Sequence, residues 1–218
     1  KQLLPIYDKP LIFYPLSILM LAKIKDILII VNKGQLVQFK KILPERNNLG
    51  IKIQYKEQSK PRGLPDAFII GEKFISNSNV ALILGDNFFY GQNLTIKLKE
   101  SVKLNIGAKV FLHPVKNPSS YGVASINKNN KITKIIEKPK KPLSNFAVTG
   151  LYFFDRKVVE LSKKLKPSKR KEIEITDLLN IYLKKNKLKA EFIGRGGTWL
   201  DAGSISDYYK ASNYIGTI

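Results

Sequence analysis

Two aspartates far apart in the chain offer the first recognisable chemistry. Asp86 follows directly on the apolar run Val80-Ala-Leu-Ile-Leu84 and a glycine, and Asp201 lies in Gly196-Gly-Thr-Trp-Leu-Asp-Ala-Gly203. The run before Asp86 has the length and composition of a buried strand. In open α/β sheets, ligands collect beyond the carboxyl ends of strands. A carboxylate there can hold Mg2+ against phosphate oxygens; the competing reading is an Asp that caps the next turn or helix. Glycines on both sides of Asp201 permit close backbone approach, and Trp199 adds an aromatic wall. The competing reading for Asp201 is a tight-turn Asp. Two such carboxylates from distant strand ends can complete one oxygen site shared with substrate phosphates.

Lys1, Lys9 and Lys138 are candidates for neutralising phosphate charge. Lys138 closes Ile135-Ile-Glu-Lys-Pro139. Glu137 and Lys138 read either as an exposed edge pair or as a hydroxyl acceptor beside a phosphate clamp. The segment Gln58-Ser-Lys-Pro-Arg-Gly-Leu64 is rich in turn residues. A glutamine donates and accepts in one plane, as reading a base edge requires, and Gly63 marks a positive φ or a close approach; an ordinary loop is the alternative. His113, the single histidine, precedes Pro114 in a strand pattern and reads as a packed strand-end residue. No Ser-His-Asp triad or histidine zinc site is therefore expected. With no cysteine, a thiolate metal site, a cysteine nucleophile and a disulfide framework are excluded.

The elements that must position these groups alternate. Strands are predicted at 27–31, 51–55, 80–84, 110–115, 147–154 and 190–193, and a β-hairpin over 122–126 and 132–136. Helices are predicted at 11–22, 35–43, 67–74, 94–104, 158–165, 174–185 and 204–214, the last with Ser204 as N-cap. Such alternation implies βαβ units and a mostly parallel mixed sheet in an α/β fold, with a small antiparallel insertion at the hairpin. No linker divides the chain, so residues 1–218 are expected to form a single domain.

Composition narrows the classes of function. The 218 residues carry 38 Lys and Arg against 17 Asp and Glu, a formal charge of +21. Only Arg46, Arg62, Arg156, Arg170 and Arg195 are arginines. Arginine dominates bidentate reading of bases and phosphates, and no RNA-binding signature accompanies the scattered lysines. A solvated Lys-rich surface is favoured over a basic nucleic-acid-binding α/β domain, which stays as the alternative of a different class. Apolar residues at 44% and charged residues at 25% are those of an ordinary globular chain. No apolar stretch is long enough to span a bilayer. The chain opens on Lys1 rather than Met, which predicts a start further upstream.

Taken in order, the motifs resemble the glucose-1-phosphate thymidylyltransferases, sugar-phosphate nucleotidylyltransferases of dTDP-sugar synthesis. The resemblance is carried by Lys1-Gln-Leu-Leu-Pro-Ile-Tyr-Asp-Lys-Pro10 with Tyr14-Pro-Leu, by Leu84-Gly-Asp-Asn87 with Phe89-Tyr-Gly91, and by Tyr121-Gly-Val123. It continues through Glu137-Lys-Pro139, Ala147-Val-Thr-Gly-Leu-Tyr152, Glu174-Ile-Thr-Asp177 and Trp199-Leu-Asp201. It implies a Rossmann-like three-layer nucleotidyltransferase fold. It also implies that dTTP and glucose 1-phosphate react, with Mg2+ as cofactor, in a cytoplasmic homotetramer. By position, Asp86 and Asp201 resemble the Mg2+ ligands, Asp86 lying at the nucleotide as well, and Lys1 the catalytic lysine on the nucleotide phosphates, with Gln2 beside it. Gln58 and Gly63 resemble the thymine-reading pair, with Pro61 shaping their loop. Leu64, Asn87, Gly122, Glu137 and Val148 resemble the glucose pocket, Lys138 the catalytic clamp on the sugar phosphate, and Trp199 a wall near the metal.

The resemblance also implies segments beyond this chain: an upstream strand with a Gly-rich phosphate loop ending in Arg, and downstream helices used in assembly. Without the first, central strand edges are expected to be exposed and nucleotide binding to be weak. Pro65-Asp66 stands where an Ala-Gln pair is common, with little effect expected on base reading. A UTP- or CTP-using relative stays open, because Gln58 does not by itself exclude uracil.

Overall fold

The structure is a computed structural model that describes residues 1–218. The chain opens with a two-strand turn, β1 (Pro5–Ile6) and β2 (Lys9–Pro10), then α1 (Phe13–Leu21), β3 (Asp26–Asn32), α2 (Leu36–Ile42) and β4 (Lys52–Gln58). Next come α3 (Asp66–Ile70), α4 (Glu72–Ile75), β5 (Val80–Ile83), β6 (Asn87–Tyr90), α5 (Leu94–Val102) and β7 (Ala108–Pro114). The hairpin β8 (Gly122–Ile126) and β9 (Ile132–Glu137) leads to β10 (Phe146–Phe154). The chain closes with α6 (Val158–Lys163), α7 (Ile175–Lys184), β11 (Leu188–Phe192), β12 (Thr198–Asp201) and α8 (Ile205–Ile215).

The central sheet is mixed and built around β10. This strand pairs antiparallel with β7 along one edge, and its other edge is divided between β8 near Ala147 and β5 over Leu151–Phe154. Because β11 lies parallel to β7, strands β5, β7, β8 and β11 run one way while β9 and β10 run the other. The expected parallel majority therefore holds for direction, but most hydrogen-bonded neighbours are antiparallel because β10 is inverted in the middle. Nothing in a largely apolar run such as Ala147–Phe154 encodes its direction, since both faces of the strand are buried.

Alternation along β10 feeds two cores. Val148, Tyr152 and Phe154 pack with Phe68 of α3, Val158 and Leu161 of α6, and Leu178 and Tyr182 of α7. Ala147, Leu151 and Phe153 face the opposite layer, with Ile18 of α1 and Leu94 and Leu98 of α5. Helices thus cover both sheet faces, a three-layer arrangement. The helix expected over 67–74 is divided at Gly71, whose absent side chain admits Leu28 of β3; a Cβ there would lie 3.2 Å from Leu28 Cδ2. Glycine is also a weak helix former, so the break falls there. Ser204 caps α8 as expected, accepting from the backbone N–H of Asp207 at 3.1 Å.

β3 pairs only with β4, and β5 only with β10. Between their remaining edges lies a cleft of about 770 Å3 lined by Ile27, Leu28 and Ile30 of β3, Val80 and Leu82 of β5, and Phe68 of α3. No helix is long and apolar enough to cross a membrane.

Asp155, at the end of β10, is buried and accepts three hydrogen bonds: from Gly107 N at 2.7 Å, Tyr182 Oη at 2.8 Å and Lys157 N at 3.0 Å. It joins the start of β7 to α6 and α7. Replacing it strands buried donors, which costs about 1–3 kcal/mol for each group left unmade. Asp155→Ala should therefore lower the unfolding free energy by about 3 kcal/mol, measured by urea denaturation; a loss below about 1 kcal/mol would reject this account.

Candidate active site

The antiparallel pair β6–β12 sets Asp201 directly opposite Asn87, and therefore beside Asp86. The backbone N–H of Ala202 donates to the Asp86 carbonyl at 2.9 Å, locking the two strand ends together. The two carboxylates share one neighbour: Asn87 Nδ2 donates to Asp86 Oδ1 at 3.2 Å and to Asp201 Oδ1 at 3.4 Å. The Lys1 ammonium lies 2.7 Å from Asp86 Oδ2 and donates to the Gly203 carbonyl at 3.2 Å. Burial, followed by the charge of Asp86, pushes the Asp201 carboxyl up to about 6 despite Lys1 nearby. Two carboxylates thus crowd into one pocket with too little positive charge.

That donor set suits a divalent cation. Carboxylate oxygens are the hard ligands that Mg2+ selects, and the Lys1 ammonium already rests where positive charge is drawn. No group of three or more His, Cys, Asp or Glu side chains is assembled anywhere in the chain. The remaining positions of an octahedral ion would therefore fall to phosphate oxygens and water, the usual division for Mg2+ at a phosphate site.

On the other side of the pair lies a second pocket. Gly122 of β8 faces Glu137 of β9 across the hairpin. A Cβ on Gly122 would stand 2.8 Å from Thr176 Cγ2, 3.3 Å from Glu137 Oε2 and 3.8 Å from Val148 Cβ. Glycine is thus required where three side chains converge, and it leaves the Glu137 carboxylate reachable. Arg170 reaches Glu137 Oε1 at 3.4 Å and also pairs with Glu172 at 3.0 Å and Glu174 at 3.8 Å. Thr176 lies on the same side of the hairpin, its methyl packed toward Gly122. Burial, then the charge of Glu174, holds the Glu137 carboxyl above its ordinary range, outweighing Lys138 and Arg170. Lys138 adopts φ +40°, a left-handed conformation doubly disfavoured before Pro139, and its N–H donates to the Tyr121 carbonyl at 3.0 Å. The exposed ammonium is close enough for Asp201 to feel its charge.

Gln58 ends β4 opposite Asn32 of the parallel β3, and its Nε2 donates to Asn32 Oδ1 at 2.8 Å. The following loop is held first by backbone contacts. Gly63 has φ +120°, and a Cβ there would overlap the Ile173 carbonyl, while Ile173 N donates to the Arg62 carbonyl at 2.7 Å. Pro61 is exposed on this loop and Leu64 packs beneath it against the core. Asp66 is buried and ion-paired with Arg62 at 2.6 Å, so the unusual Pro65-Asp66 pair braces the loop from below. Gln2 lies against the turn before Asp86, its Cγ being 3.2 Å from where a Gly85 Cβ would stand.

Three expectations change. Lys9 turns toward Asp8 at 2.8 Å and over the Tyr14 ring, on the β1–β2 turn, rather than toward the aspartates. Trp199 is buried, with its edge against Tyr121 at 5.0 Å between centroids, and lies under the carboxylates rather than walling an open pocket. Asn87 is fully buried, with its amide engaged by protein groups, so the expected sugar contact is not offered by this geometry. Arg170, Thr176 and Asn32 escaped the reading of single residues. Arg170 had one signal, being among five arginines in a lysine-rich chain. His113 is a packed residue whose ring meets Trp199 edge-on at 6.3 Å, and burial lowers its basicity.

A carboxyl whose folded-state affinity for protons exceeds its unfolded one favours the folded state progressively as pH falls. For Glu137 that window starts at the ordinary glutamate value of 4.5 and extends upward. Glu137→Gln should therefore gain stability relative to the parent at pH 7 and lose that gain toward pH 4. Thermal melts of both proteins at the two pH values test this; a pH-independent difference would contradict it.

The nucleotidyl transferase family profile matches residues 1–217. A glucose-1-phosphate thymidylyltransferase of Neisseria meningitidis serogroup A is 50% identical over all 218 residues, which span 76% of that protein. One from Mycolicibacterium smegmatis is 44% identical over the full chain and 75% of its own length. Among solved structures, one from Bacillus anthracis with bound sucrose, described as a glucose-1-phosphate thymidylyltransferase, superposes with a TM-score of 0.91 at 37% identity, covering 100% of this chain and 87% of that one. A UDP-glucose pyrophosphorylase complexed with UDP-glucose gives 0.85 at 27% identity, covering 100% and 90%. Nucleotidyltransferases of this kind generally need a divalent metal and use a nucleoside triphosphate and a sugar phosphate. With the nucleotidyl transferase profile matched end to end and close relatives alike over the full chain, this protein belongs to the glucose-1-phosphate thymidylyltransferase family of nucleotidyltransferases.

Proposed function

We propose that residues 1–218 belong to one catalytic domain for the reaction dTTP + α-D-glucose 1-phosphate → dTDP-glucose + pyrophosphate. The observation that carries this reading is the pair Asp86–Asp201 gathered on one asparagine amide beside Lys1. A phosphate oxygen of the sugar attacks the α-phosphorus in line, the bond to the β-phosphate oxygen breaks, and pyrophosphate leaves with the electron pair. No protein nucleophile is required, and acceleration comes from positioning and charge stabilisation.

Asp86 and Asp201 would hold Mg2+, which when bound offsets phosphate charge and acts as a Lewis acid on phosphoryl oxygens. Lys1 supplies a mobile positive charge for the leaving pyrophosphate. Lys138, fixed in its left-handed turn, orients the attacking sugar phosphate. Glu137 accepts hydroxyls of the glucose, with Gly122 leaving room and Val148 and Leu64 as apolar sides. Gln58, held by Asn32, reads the base edge over the loop shaped by Pro61 and Gly63, with Gln2 near the phosphates. We assign the reaction to the cytoplasm, where nucleoside triphosphates are supplied, and the working form to a homotetramer. Exposed Tyr7, Ile205 and Tyr209 are surface of the kind that oligomers bury.

Pyrophosphate release with dTTP and with UTP tests the reaction, and a higher kcat/KM for UTP would replace the thymidylyl assignment. In the chain completed by the upstream phosphate loop that the resemblance implies, Asp201→Asn should lower kcat at least about 10²-fold, the scale of losing a principal electrostatic group. Turnover within about threefold of the parent would remove Asp201 from the mechanism. Lys138→Ala should act on kcat and on the KM for glucose 1-phosphate while leaving the KM for dTTP nearly unchanged.

A further inference from the structure

Asn87 stands at the centre of the site without access to solvent, being 0% exposed. Its carboxamide oxygen accepts from Trp199 Nε1 at 2.6 Å and from the backbone N–H of Gly150 at 3.0 Å. Its nitrogen donates to Asp86 Oδ1 and Asp201 Oδ1. Those four bonds are the full capacity of a primary amide, so nothing is left for a substrate hydroxyl.

The orientation of the amide is dictated by its surroundings. One side presents two N–H groups and the other two carboxylates; a flipped amide would set oxygen against both aspartates and NH2 against both donors. Close approach is secured by Gly150, where any Cβ would overlap Asn87 Oδ1. The amide therefore spans from β10, at the middle of the sheet, to the tips of β6 and β12.

We infer that Asn87 is a positioning residue: its NH2 group holds the Asp86 and Asp201 carboxylates side by side before any cation arrives, and its oxygen ties that pair to Trp199. The inference rests on the divalent-cation reading of the proposed function. Without the donor, two adjacent negative groups repel and separate, and an incoming cation must reassemble its site.

Asn87→Leu keeps the branched shape, at a somewhat larger volume, and removes all four hydrogen bonds of the amide. Mn2+ titration followed by electron paramagnetic resonance should give a Kd raised at least about tenfold over the parent, the scale of losing a partner that orients metal ligands. The kcat should fall by a comparable factor, with the KM for glucose 1-phosphate within about threefold. Unchanged Mn2+ affinity overturns the inference. So does a raised KM for glucose 1-phosphate at parental metal affinity, which would return Asn87 to the sugar pocket. Trp199 is the only tryptophan among residues 1–218, so these residues give a single indole N–H resonance. Mg2+ should shift that resonance in the parent and leave it unmoved in Asn87→Leu. If the variant fails to fold, the parent alone decides: a protein that binds Mn2+ while Mg2+ leaves its indole signal in place overturns the link. A parent that binds no Mn2+ either alone or with pyrophosphate present refutes the cation reading instead.

Discussion

Everything in the site depends on keeping two like charges close together inside a partly buried pocket. Left alone, Asp86 and Asp201 would separate or one would take up a proton, and the raised proton affinity of Asp201 records that tension. The chain meets it with one lysine ammonium on Asp86 and one amide shared by both groups. Substrate phosphates bring more negative charge still, so the arrangement favours whatever cation can join carboxylate and phosphate oxygens.

The fold exists around this constraint in a literal sense. The β6–β12 pair is short and peripheral, yet it is riveted to the sheet through Asn87, Gly150 and Trp199. The inverted β10 carries Val148 toward the second pocket and Gly150 toward the carboxylates from adjacent stretches of one strand. The hairpin β8–β9 hangs on the first turn of β10 and ends in Glu137 and Lys138. A single strand thus sets the spacing between the place where charge is held and the place where a sugar fits.

Much of this was legible in the residues. Val80–Leu84 followed by Gly85-Asp86 marks a strand end with a carboxylate, and the glycine-flanked Asp201 marks a second. Their convergence follows from where such strand ends meet, and the ordered motifs place the remaining groups. The direction of β10 was hidden because an apolar run looks the same in either sense. Lys9 misled because nearness to Lys1 in sequence says nothing about the turn that hands its ammonium to Asp8. Asn87 is placed in the glucose pocket only by the resemblance and Trp199 in a wall only by its nearness to Asp201, whereas their burial arises from packing across distant segments. Arg170 and Thr176 act through tertiary neighbours, which no local pattern encodes.

The backbone contact between Gly63 and Ile173 carries a wider consequence. It joins the loop after Gln58 to the residues just before α7, whose first turn bears the Thr176 that packs toward Gly122. The base-side loop and the start of α7 are thus fixed to one another through main chain, at a contact that any side chain on residue 63 would break.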